Sequence, residues 1–451
     1  MSFFNKNIKI LSVLGALAFS VQAGFLNPST FTLDNGLKVV VIEDHRTPVV
    51  DILMAVCVGS ADENPGKTGV AHFLEHMMFK GVPGESETGF FDKIAAHGGE
   101  ANAFTSYDST VYVETIPKEH LDVALALEAK RFQSIKINED LVERERKVIL
   151  EELSMRVDGN HNQLAYQTMM SKLLTQHPYR QSIGGYVHEV KTLSVQDILA
   201  FHKTWYAPNN VILVLSGDIT PVEAKRVVSQ HFSSIKPHAV PKRKRLSEPE
   251  ATDNITQVRL AFYDKRVKQP SLSYQKVLPC FSDDRLKELA AMIFLPRLLC
   301  EYNKGFLWKE LVEKQKIATN VSLNIDNRKD LAFVELHIDP SPKVTLNQLE
   351  VAVEAAVKNA FDRIHEIATP QVVAQIIHQE TISNIYAKDN LTGLAHHYAM
   401  QLAAGFSLSR LESFIEVIQT VRSADMIKAM QNIFGSQFTL ITHIVPQEKK
   451  P

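Results

Sequence analysis

Two imidazoles and a carboxylate fall within five consecutive positions of this chain, His72, Glu75 and His76, inside the run Val70–Lys80. On an α-helix, side chains three and four positions apart are neighbours. The three groups therefore share one face, and two imidazoles at i and i+4 can grip one metal ion. A carboxylate at i+3 stands beside them without being forced to ligate. Val70, Phe73, Leu74, Met77 and Met78 fall at i, i+3, i+4, i+7 and i+8 and form a separate apolar stripe. The plain alternative is an amphipathic helix with a polar outer face, and the motif alone does not decide between the two.

A metal that keeps one position open for water needs a further protein ligand from another element. The helical pattern over Glu139–Val157 offers two candidates. Its inward stripe reads Leu141, Val142, Glu145, Val148, Ile149, Glu152 and Leu153, so Glu145 and Glu152 interrupt an apolar face two turns apart. Burying an unpaired carboxylate is costly. A metal, or a supporting place beside one, offsets that cost. The alternative is pairing with Arg144, Arg146 and Lys147, which fall mainly on the other face.

The elements that must position these groups alternate between strand and helix patterns. Phe31–Asp44 reads as a hairpin about Asn35-Gly36 with a type I′ turn. Val49–Val58 is a strongly apolar strand. Helices are expected from about Thr68 to Gly81 and from Gly89 to His97, and a strand over Ala103–Thr115. Longer helices cover Lys118–Ser134, Glu139–Val157 and Asn162–Gln176. Val211–Leu215 reads as a buried strand and Val222–Phe232 as a helix. Prolines and dense charge over 236–254 mark the boundary between two patterned halves. The basic run at 242–245 within it reads as solvated linker. Thr192–Ile198 and Thr420–Met426 each precede a helix and then a strand (211–215 and 438–444), which suggests two related α/β domains.

With these segments together, the chain resembles the pitrilysin/insulinase family of inverted-motif zinc peptidases, which includes mitochondrial processing peptidase. The likeness is carried by Asp34–Leu37, Gly69–Gly81, Asn102-Ala103-Phe104-Thr105, Arg144–Glu152, Trp205–Asn210 and Gly217-Asp218, and covers nearly the whole chain. The resemblance implies that His72, His76 and Glu152 bind one Zn2+ per chain. It implies that Glu75 is the general base, that Glu145 supports the ligands, and that Asn102, Ala103, Phe104 and Thr105 lie on an edge strand along which a peptide binds. Phe104 would then wall the side chain just after the cut. The implied activity is that of a zinc metalloendopeptidase acting on oligopeptides or small unfolded proteins, with water activated at the zinc and its proton taken by Glu75. The implied fold is of α+β type. It has two homologous domains, 24–236 catalytic and 255–451 non-catalytic, joined by a linker over 237–254. Each is a mostly antiparallel sheet packed with helices, and such chains pair like a clamshell around a chamber.

The sequence departs from the family in its second half. Many members carry an Arg and, seven residues later, a Tyr that hold the substrate; here Val312 and Thr319 stand at those positions. A heterodimer with a related chain that supplies the pair is the expected arrangement, and a homodimer using other donors is the alternative. A silent structural or partner subunit is the rival function, although such subunits typically lose a ligand or the base, and all four are present here. A zinc-retaining peptide-binding chaperone is a third reading.

Composition narrows the class. The chain has 451 residues, 45% hydrophobic and 22% charged, as in globular proteins of more than one domain. Residues 1–23 have a signal peptide's three parts, a basic start (Lys6, Lys9), an apolar run (Ile10–Val21) and a small-x-small site ending at Ala23. The apolar run is too short to span a bilayer. Export to the periplasm, or secretion, with cleavage near Ala23 and no stable membrane span is therefore expected. The formal charge is −2, and −4 without that segment's two lysines, which argues against nucleic-acid binding. Three cysteines in apolar settings read as inert thiols, and the remaining histidines, His396-His397 included, as structural or surface groups.

Overall fold

Among the described residues, eleven strands form two sheets. The computed structural model describes residues 24–243, 245, 257–436 and 438–447. The expected signal segment and residues 246–254 of the expected linker lie outside the described residues. The first sheet contains β1 (Ser29–Thr32), β2 (Lys38–Glu43), β3 (Val49–Val56), β4 (Glu100–Thr105), β5 (Thr110–Pro117) and β6 (Val211–Gly217), in the order β1-β2-β6-β3-β5-β4. The second contains β7 (Val258–Asp264), β8 (Ser271–Pro279), β9 (Ala318–Asn327), β10 (Leu331–Pro340) and β11 (Leu440–Pro446), in the order β7-β11-β8-β10-β9. With β1 set aside, the two orders coincide strand for strand, so the halves repeat one topology. Each sheet has one parallel pair, β2 with β6 and β7 with β11, and its other pairs are antiparallel.

The first sheet is covered on both faces, which is why β3 and β6 are near-continuous apolar runs. One face packs against α1 (Val70–Lys80), α2 (Gly89–Ala96), α3 (Leu121–Gln133) and, through α1, α4 (Glu139–Asp158). The other face receives the helix Leu391–Ala404 of the second half, whose Ala395, Tyr398, Ala399 and Leu402 pack with Leu53, Ala55 and Val214. In α1 the expected apolar stripe is fully inside, with Val70, Phe73, Leu74, Met77 and Met78 all buried.

Several details differ from the sequence reading. The strand expected over Ala103–Thr115 is two strands, because the Ser106 hydroxyl accepts from the amides of Asp108 (3.2 Å) and Ser109 (3.0 Å) and closes a turn. That turn leaves β4 outermost in its sheet. The hairpin of β1 and β2 forms, but only Gly36 has a positive φ, so its turn is not type I′. Asn35 instead donates its side-chain amide to the carbonyls of Phe232 and Ile235. On α4 the buried line includes Arg146, which donates to the carbonyls of Val190 (2.6 Å) and Leu193 (2.7 Å), while Val148 is half exposed. Two members of the basic run at 242–245, Arg243 and Arg245, are not solvated as expected, while Lys242 is exposed. Arg245, 7% exposed, bridges Asp62 (3.1 Å) and Asp108 of the first half to Asp330 (2.7 Å) of the second, and Arg243 turns inward beside it. Buried acids contributed by both halves require a cation between them.

Candidate active site

α1 presents His72, Glu75 and His76 on one face, and ligand atoms from all three lie within 4.8 Å of one another. The start of α1 is fixed by side chains rather than by its own cap. Glu63 accepts from the amides of Gly69 and Ala71, each at 2.9 Å, and Glu189 accepts from that of Thr68 at 2.7 Å. These carboxylates satisfy amides that a helix start leaves unpaired and sit at the positive end of its dipole. Gly69 (φ +89) and Gly185 (φ +83) meet there backbone to backbone, where a Cβ on Gly185 would fall 2.6 Å from Gly69. This contact lets the loop carrying Gly184 seat over His72.

α4 crosses beside α1 and supplies the two acids singled out in its sequence. Glu152 Oε2 lies 3.7 Å from His72 Nε2 and 3.4 Å from His76 Nε2. Glu145 Oε1 lies 2.8 Å from His76 Nδ1, and its other oxygen is 3.7 Å from Lys80 Nζ. Glu145 and Glu152 therefore have separate places, one behind an imidazole and one in front of both. On the third side, Thr105 at the end of β4 donates its hydroxyl to Glu75 Oε2 at 2.6 Å. Together these residues line a cavity of about 410 Å³, which Asn102, Ala103, Phe104, Arg156 and the stacked rings of Phe79 and Phe91 complete.

The electrostatics separate the groups. Burial, with His76 beside it, pushes His72 down to about 4, so it is neutral at pH 7. Burial would lower His76 too, but Glu145 and Glu152 outweigh it and raise this imidazole to about 9. The bond to His76 holds Glu152 down to about 2. Burial raises the Glu75 carboxyl, against the opposing hydrogen bond from Thr105.

This donor set fits a zinc ion. Two imidazole nitrogens and one carboxylate oxygen converge at 3.4–3.7 Å, and donors bound to a tetrahedral zinc lie roughly 3.4 Å apart. The Nδ1 atom of His76 has a carboxylate partner, which fixes the ring so that Nε2 faces the cavity. Elsewhere the chemistry is quiet. All three cysteines are unpaired, and burial pushes Cys300 up to about 12 and raises Cys57 and Cys280, so none is poised as a nucleophile.

A family model described as insulinase (peptidase family M16) matches residues 38–185, and one described as the M16 inactive domain matches residues 192–380. The chain belongs to peptidase family M16. It is a metallopeptidase, and relatives named as zinc proteases agree with its donor set. The zinc protease PqqE of Helicobacter pylori is 29% identical over 403 residues, 87% of each chain. Other curated zinc proteases match over about half of their own length. A solved protease structure from H. pylori superposes with a TM-score of 0.82 at 24% identity, covering 93% of this chain and 99% of that one. The first half of the periplasmic protease PqqL from Escherichia coli gives 0.79 at 19% identity, covering 93% and 92%. At these identities the superpositions establish the shared two-sheet fold.

The structure brings His72, Glu75, His76, Glu145, Glu152 and the strand 102–105 of the sequence reading to one cavity. Within that strand Phe104 lines the cavity. Its ring stacks on His396 at 5.9 Å and packs with the helix Leu391–Ala404, and the aromatic pair of the cavity is Phe79 with Phe91. Sequence reasoning missed the Thr105 hydroxyl as the partner of Glu75. It also missed Arg156, which pairs with Glu152 one helical turn away; the i, i+4 spacing was the available signal.

Proposed function

We propose that this chain is an exported zinc metalloendopeptidase that cuts oligopeptides or small unfolded proteins, with one Zn2+ per chain held by His72, His76 and Glu152. The observation that carries the reading is the convergence of His72 Nε2, His76 Nε2 and Glu152 Oε2 beside a buried Glu75, under the free edge of β4. Zinc bound there supplies an acidified water and polarises the carbonyl it faces. Glu75, raised by burial toward the working pH, takes a proton from the attacking water and returns one to the departing amine. Thr105 aims the carboxylate that does this. Glu145 keeps the His76 ring turned with Nε2 to the cavity. The unpaired edge of β4, with Asn102 to Thr105, takes the substrate as an added strand, so affinity comes from backbone hydrogen bonds and selection is for extended chains.

One observation favours a partner-dependent form of this activity. Val312 packs with the core of the second half, and the Thr319 hydroxyl lies 3.4 Å from the carbonyl of Asp339 in its own sheet. Neither can donate to a substrate as an Arg or a Tyr would, so a related chain supplying that pair, as a heterodimer, is the favoured assembly, with a homodimer as the alternative. Periplasmic export rests on residues 1–23; among the described residues no helix is long and apolar enough to cross a membrane.

The test is zinc content and cleavage of a quenched fluorescent peptide library by wild type and Glu75→Gln. Wild type is expected to hold one zinc and cut, and Glu75→Gln to hold zinc and not cut. A wild type without zinc ends this reading in favour of a scaffold subunit. A zinc-loaded wild type that cuts only when a related chain is added establishes the partner-dependent form.

A further inference from the structure

We infer that Arg156 is a positioning residue for the metal site: it holds Glu152 so that one carboxylate oxygen, and only one, faces the two imidazoles. The inference rests on the reading of Glu152 as a ligand and deepens it.

The carboxylate of Glu152 is divided between two sets of partners. Oε2 meets both imidazole Nε2 atoms, at 3.7 and 3.4 Å, while Oε1 is taken by Arg156 Nη2. The two residues stand one turn apart on α4, so the helix itself sets their separation. Glu152 needs such a hold more than its neighbours do. Its side chain is 24% exposed, against 4% for His72 and 19% for His76. The histidines are kept in place by the packing of α1, and His76 also by Glu145. Glu75 is kept by Thr105. At the open lip of the cavity, Arg156 grips Glu152, alone among the described residues that do not belong to the ligand set. A guanidinium forms strong, directional bonds to carboxylate and never loses its charge. Arg146 and Lys80, the other cations nearby, are engaged elsewhere, Arg146 on the carbonyls of Val190 and Leu193 and Lys80 on Glu145.

Two effects of Arg156 on zinc oppose each other. Its charge repels a dication, and its bond pre-orients a ligand that would otherwise sample several rotamers. Partners that orient metal ligands typically contribute about 10- to 100-fold in metal affinity, and the inference is that orientation wins here.

The test is zinc affinity by chelator competition at pH 7 for the full chain carrying Arg156→Gln, Arg156→Lys, Glu152→Gln and the double substitution Arg156→Gln with Glu152→Gln. Arg156→Gln is expected to lose about 10- to 100-fold. Arg156→Lys should recover part of that loss, and the double variant should bind no more weakly than Glu152→Gln alone. With zinc in excess, Arg156→Gln should regain its kcat with KM unchanged. Zinc affinity unchanged or raised in Arg156→Gln, while Glu152→Gln weakens it, overturns this inference alone. A raised KM with zinc affinity intact also overturns it, by moving Arg156 to the substrate. Glu152→Gln binding zinc as wild type does removes the ligand reading itself and this inference with it.

Discussion

Glu145 Oε1 lies 2.8 Å from Nδ1 of His76, the ring nitrogen other than the one that meets Glu152. This bond fixes both the ring orientation and the tautomer with Nε2 free. Replacing Glu145 by Gln keeps the shape and a hydrogen bond but loses the charge. Zinc affinity of Glu145→Gln is expected to fall about 10- to 100-fold with little change in fold, as chelator competition and far-ultraviolet circular dichroism would read. Undiminished zinc binding would leave Glu145 as no more than a partner for Lys80.

Metal and proton compete at His76. The metal-free protein holds this imidazole protonated at neutral pH, because Glu145 and Glu152 outweigh burial and raise it to about 9. His72, down to about 4, and Glu152, down to about 2, already stand in their ligating forms. Zinc binding at pH 7 is therefore expected to release the His76 proton, a contribution that fades above pH 9 while that of the acidified zinc-bound water persists. Calorimetry in buffers of different ionisation enthalpy measures it. The same shift has a sign for stability. A raised folded-state value contributes fully below the ordinary 6.5 and is lost as pH rises through about 9. The metal-free protein should lose denaturant resistance over that window, and the zinc-loaded protein should not.

The candidate site was largely legible in the sequence because both of its helices carry it as local periodicity. His72, Glu75 and His76 share a face by spacing alone, and Glu145 and Glu152 stand out as acids in an apolar stripe. Which of the two acids faces both imidazoles was not local information, because it depends on where α4 crosses α1. The same limit hid Arg146, whose acceptors Val190 and Leu193 are more than forty residues away. It hid Arg243 and Arg245 as well, since their acid partners at 62, 108 and 330 come together only when the halves close. In the second half only the strand at 438–444 was read. β9 and β10 alternate in burial along most of their length, but β8, the other neighbour of β10, lies far back in the sequence.

A buried charge cluster supports the cavity from behind. Arg131 is fully buried with Glu114 and Glu128, and its guanidinium lies 4.5 Å from the ring centroid of Phe79, 4.3 Å from Phe90 and 4.5 Å from Tyr112. Burial, with Glu128 beside it, raises the Glu114 carboxyl well above its usual range. Arg131→Met leaves two acids facing each other without a cation, and is expected to cost about 3–5 kcal/mol in a denaturant titration. Replacing all three by apolar residues of similar volume should cost far less, because no charge is then left unpaired. Equal losses in the two variants would mean that the packing of Arg131 on the rings, and not its charge, is what matters.

Thr105 donates to Glu75 Oε2 at 2.6 Å, and this bond favours the ionised carboxylate against the burial that raises it. Removing the hydroxyl while keeping the shape, in Thr105→Val, leaves burial unopposed, so the Glu75 pKa must rise further. A general base works only when ionised, so the acid limb of kcat/KM should move to higher pH. At a pH well above that limb the rate should return toward wild type. Thr105→Ser, which keeps the donor, should hold the wild-type profile. A Thr105→Val enzyme that is slower by one factor at every pH would show instead that Thr105 serves the substrate strand on β4, since lost positioning lowers the rate without moving a titration.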